Sequence, residues 1–99
     1  MNPEELALAR IKALRSLLSS GREKVAKASG DGLKVVCKEL VELAKSTRHQ
    51  AEAIKPFDPQ TGQLNMELFE AKRDLLQEAR EALNEAMDRL VVAFVVASE

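Results

Sequence analysis

Apolar residues recur at intervals of three and four along nearly the whole 99-residue chain. That period places them on one side of an α-helix, whereas it would scatter them over both faces of a strand. A chain patterned in this way hides its apolar surface by laying helices against one another, and the expected fold is an all-α, up-down-up antiparallel three-helix bundle with a long C-terminal helix. Alanine and leucine dominate and the three aromatic residues are all Phe, so propensity also favours helix over sheet. The length suits a single domain, residues 1–99, with a small core and a large surface.

The first helix, expected over about 3–28, opens with Asn2 as N-cap, Pro3 in the first turn and Glu5 as the carboxylate of a capping box, with Met1 and Leu6 as a hydrophobic staple. Its seam runs through Ala7, Ile11, Leu14, Leu18, Val25 and Ala28 and crosses Ser19-Ser20-Gly21 without changing phase. One helix with a kink at Gly21 is therefore expected, and a break there is the alternative. Ser29-Gly30-Asp31-Gly32 is a turn, with Asp31 placed to cap the second helix, 31–55. In heptad form its a positions are Leu33, Leu40, Thr47 and Ile54, its d positions Val36, Leu43 and Gln50, and its e positions Cys37, Ala44 and Ala51. The polar pair Thr47 and Gln50 predicts loosened packing or a polar neighbour. Pro56 ends the helix at Lys55.

The loop, 56–64, holds two prolines and a glycine. Phe57 is expected to plug the end of the bundle, with an exposed partner anchor as the alternative. The third helix, 65–97, starts at Asn65 as N-cap with Leu64 and Phe69 at the staple positions. At about 1.5 Å per residue it reaches roughly 50 Å, against roughly 35 to 40 Å for the others, and it should overhang them.

The end of this helix carries the main functional clue. Leu90-Val91-Val92-Ala93-Phe94-Val95-Val96-Ala97 is uncharged, and its valines leave no polar face before Ser98. The run is far shorter than the roughly 20 apolar residues that cross a bilayer, so no membrane span is expected. It requires cover from the Gly21 region of the first helix, from a second copy, or from another helical partner. Pairing of the last valines as a strand is a further alternative.

Charge is divided: residues 1–55 carry a net of +4 and residues 64–99 a net of −4. This asymmetry is expected to seat an acidic third helix between two basic ones. A basic face of Arg10, Arg15, Arg22, Lys24, Lys27, Lys34, Lys38 and Lys45 is the material for nucleic-acid binding, but the chain is near neutral and has no Tyr or Trp for stacking. No nucleic-acid partner is expected. Glu39, Glu42, Glu78, Glu81 and Glu85 read as solvated charge, with Glu78 loosely paired to Arg73 or Arg80.

No catalytic, cofactor-binding or metal site is legible. His49 stands alone, and a Glu-x-x-His metal pair would need an acid where Ser46 stands. Cys37 has no second thiol for a disulfide or a zinc pair and reads as a small core residue in a reducing, cytoplasmic setting. No secretory signal is visible, so the mature protein is expected to begin at Met1. No small-molecule substrate suggests itself. The expected function is a non-enzymatic interaction or assembly module that self-associates as a homodimer through Leu83, Met87, Leu90, Val91, Phe94 and Val95. The alternative is a small helical chaperone or adaptor that binds an amphipathic helix of a client protein. A third reading is an enzyme or nucleic-acid protein whose site forms only in a dimer.

Overall fold

A computed structural model describes residues 2–98, with side chains described through Val96. Three helices follow one another: α1 (Pro3–Lys27), α2 (Asp31–Ala53) and α3 (Met66–Ser98). They form an up-down-up three-helix bundle, and every pair of helices packs, α2 against α3 most extensively. The molecule is a rod of 60 × 20 × 15 Å with a radius of gyration of 16.3 Å, longer than the roughly 13 Å of a compact chain of this size.

The start of α1 follows its sequence signals. The Glu5 amide donates to Asn2 Oδ1 at 2.8 Å, and Asn2 Nδ2 donates to the Glu5 carboxylate at 3.2 Å. These bonds satisfy an amide that the helix itself leaves unpaired. Met1, the other half of the expected staple, lies outside the described residues. The helix continues unbroken through Gly21. A Cβ at that position would stand 2.9 Å from Cδ1 of Leu40, so the glycine permits the close approach of α1 and α2.

The turn into α2 is tighter than expected. Gly30 takes φ 63° and occupies the N-cap position without a side-chain bond, while Asp31 is already the first helical residue. Its charge serves the positive end of the helix dipole instead of an amide. At the other end α2 stops at Ala53, two residues before the expected Lys55, because Ile54 is already extended at φ −78° and ψ 122°. The Ile54 carbonyl accepts a 2.7 Å bond from Lys72 Nζ. Arg89 likewise donates to the Ala28 carbonyl at 3.1 Å, at the end of α1. Two of the four cations of the acidic α3 thus close the carbonyl ends of its neighbours.

The α2–α3 loop is a short hairpin. Phe57 and Leu64 form an antiparallel bridge, Asp58 accepts from the amides of Gln60 and Thr61, and Gly62 turns the chain at φ 72°. The Asn65 side chain then caps α3 by accepting from the Leu68 amide at 3.1 Å. Pro56, not Phe57, is the buried residue here, and Phe57 stands 55% exposed. The plug expected of Phe57 is corrected: the bridge to Leu64 holds it along the side of the bundle.

The core is aliphatic, built from Ile11, Leu14, Leu18 and Val25 of α1, the buried face of α2, and Leu68, Leu75, Ala79, Ala82 and Ala86 of α3. On α2 Leu33, Leu40 and Thr47 of the a set and all three e positions are buried together with Val41, whereas Val36 and Leu43 are half-buried and Gln50 is exposed; Ile54, the last a position, is half-buried just past the helix end. A helix wedged between two neighbours buries a face broader than an a/d seam, and here it is turned toward α3. Thr47 lies wholly inside that face, and its hydroxyl has no hydrogen-bond partner among the described residues. The polar neighbour anticipated for it is absent, and Gln50 bonds to Ser46 on the surface at 3.0 Å. Thr47→Val removes the unpaired hydroxyl while keeping the shape. It is expected to stabilise the fold by about 1 kcal/mol, read as a melting temperature raised by roughly 4 to 8 °C.

Candidate interaction surface

The register of α1 on α3 determines what the long helix leaves uncovered. Arg15 grips Glu78 through two nitrogens, with contacts of 2.6 to 3.1 Å. One heptad on, Arg22 makes the same two-pronged contact with Glu85 and reaches Glu81 at 3.8 Å. Glu78 is therefore tied across helices, not loosely to Arg73 or Arg80. The division of charge orients α1 on α3 through named pairs, and it removes Arg15 and Arg22 from the basic face that nucleic acid would need. The two helices run parallel at a constant offset of 63 residues, so α1 ends at Lys27 opposite Leu90. About eight residues of α3, roughly 12 Å, continue past it.

Each guanidinium is held more firmly in its charged form, first by the hydrogen bond to its glutamate. The hydrogen bond from Arg22 also lowers the Glu85 pKa below the ordinary carboxylate value. A carboxylate depressed in the folded state stabilises at neutral pH, and that contribution is lost as pH falls through its folded value. Glu85→Gln should therefore melt a few degrees below the parent at pH 7, and the gap should close as the pH falls through the lowered Glu85 pKa. The pair is partly exposed to water, which keeps the effect modest.

The overhang presents a largely apolar surface. Val91, Val92, Phe94, Val95 and Val96 are each between 51% and 69% exposed, while Ala93 turns inward. The chain remains helical through this run, not a strand. Gly21 lies far along α1 against Leu40 and Leu43, so cover from that region is excluded. Of the six residues read as a contact set, Leu83 and Leu90 pack partly against the core, whereas Met87, Val91, Phe94 and Val95 face outward. The spacing 83, 87, 90, 94 is the four-three-four alternation of a coiled-coil seam. Val92 and Val96 look to the other side, beside Ala28 and Gly30 of the α1–α2 turn and Lys34 at the start of α2.

Sequence reasoning missed a second apolar surface on the same helix. Pro56, Phe57, Phe69 and Leu76 line a groove of about 760 Å³, bordered by Lys72, Arg73, Arg80, Gln77, Glu81 and Asn84. Phe69 and Leu76 continue the seam of Leu83 and Leu90 at intervals of seven. That repeat was a readable signal, masked because Arg73 and Arg80 occupy the positions between.

Cys37 is fully buried, and burial pushes its thiol pKa up, with the Arg89 charge acting weakly the other way; such a thiol is a poor nucleophile. His49 is exposed on α2. Among the described residues no group of three or more His, Cys, Asp or Glu side chains could hold a metal ion, and no helix is long and apolar enough to cross a membrane. Comparison with known protein families, curated proteins and solved structures gives no match.

Proposed function

We propose that the protein is a non-enzymatic assembly module that self-associates through α3, with Leu83, Met87, Leu90, Val91, Phe94 and Val95 in the contact. The observation that carries this reading is the exposure of Met87, Val91, Phe94 and Val95 on one side of a helix that outruns both neighbours. Scattered exposed apolar residues are ordinary, but a contiguous set on a rigid element marks a protein interface. The half-buried Leu83 and Leu90 add a pre-ordered floor, which lowers the entropy lost on association. Short-lived exposure of this surface would also explain a cytoplasmic chaperone or adaptor, in which a client helix takes the place of the second copy.

Sedimentation equilibrium on the purified 10.9 kDa chain at micromolar concentration separates these readings. A mass of twice the monomer, falling on dilution, supports self-association. A monomer throughout the range overturns it.

A further inference from the structure

We infer that the second copy binds antiparallel, so that the C-terminal end of α3 from each molecule lies in the Phe57–Phe69–Leu76 groove of the other. This rests on the self-association proposed above and specifies its geometry. Two apolar surfaces share one side of α3, a groove at its start and a protruding ridge at its end. A two-fold axis perpendicular to the helix near Glu81 brings them together twice. Phe69 then meets Phe94 of the second copy and Leu76 meets its Met87, each pair symmetric about Glu81 to within one residue. Phe57, held out on its hairpin, extends the groove to receive Phe94.

Charge selects the same arrangement. Arg80 and Asp88 make no ion pair or hydrogen bond among the described residues, and Arg73 pairs only with its neighbour Asp74. In the antiparallel register Arg80 lies against Leu83 of the second copy and Arg73 against its Leu90, each with a carboxylate two residues further along, Glu81 and Asp88, within reach of the guanidinium. In a parallel register Arg73 would meet Arg73 and Arg80 would meet Arg80 across the seam. Like charges in register destabilise a helix pair, and charges beside an apolar seam select its orientation. Antiparallel pairing also covers both surfaces of both molecules and leaves no open end, the property of a closed two-fold interface.

Cysteine cross-linking of the full chain tests the geometry, with buried Cys37 as the internal control. Gln77→Cys and Asn84→Cys, both neutral sites on the groove rim, are purified separately, mixed and oxidised, and Met87→Cys is oxidised alone. The antiparallel arrangement predicts a disulfide between the 77 and 84 variants at least tenfold above either variant alone, and little product from Met87→Cys. Efficient self-linking of Met87→Cys without the mixed product overturns this geometry while leaving self-association intact. A monomeric mass for the same variants and the parent removes both.

Discussion

Leu75→Ala will lower the stability of the bundle by about 4 kcal/mol, near the upper end of the range for truncating a buried leucine. Leu75 is 0% exposed on the helix that touches both others. The cost is high because its neighbours along α3 are Ala79, Ala82 and Ala86, all buried. Alanine has no side-chain freedom with which to fill a void, and the backbones it brings close cannot move closer without breaking contacts elsewhere. The expected drop in melting temperature is roughly 15 to 30 °C. Leu17→Ala, at an exposed leucine of α1, should change stability by no more than about 0.5 kcal/mol. Urea melts of the two variants against the parent make the comparison, and equal losses would mean that the buried seam is not where the structure places it.

Phe94→Asp will weaken self-association at least about 100-fold, the equivalent of about 3 kcal/mol, while leaving the helical circular dichroism of the monomer unchanged. Phe94 lies 69% exposed, outside the buried cluster that holds the three helices together. Within an interface the same carboxylate would be stripped of water between apolar side chains, where an unpaired charge is costly. Dilution series by sedimentation give the ratio of dissociation constants. An unchanged constant for a folded variant would exclude this end of α3 from the contact.

The three helices and their order were legible because period, caps and breakers agree along the chain: Asn2 with Glu5, the glycines around Asp31, and Asn65 each mark an end that the structure keeps, whereas α2 stops two residues short of the end that Pro56 marked. What was not legible depends on neighbours distant in sequence. Thr47 looks like a weak point of the seam, yet it is fully buried because α2 is wedged between two helices and not one. Phe57 looks like a plug because it is apolar, but a bridge to Leu64, seven residues away, decides where it points. Lys72 and Arg89 carried no role in the sequence pattern, and only the bundle reveals the carbonyls they close. The overhang of α3 was expected from its length against that of the other two helices, with cover from the Gly21 region among the alternatives. The groove at its start was not, since half of it comes from the loop.

The three-residue elbow of Ala28, Ser29 and Gly30 fixes more than a change of direction. Because α1 and α2 both terminate there, the extent of the sticky tip is a matter of counting residues. One extra helical turn added symmetrically to the two arms would sheathe much of the valine cluster, and one turn removed would bare Leu90 as well. Stickiness in this scaffold can thus be graded by arm length alone, without altering a single apolar side chain.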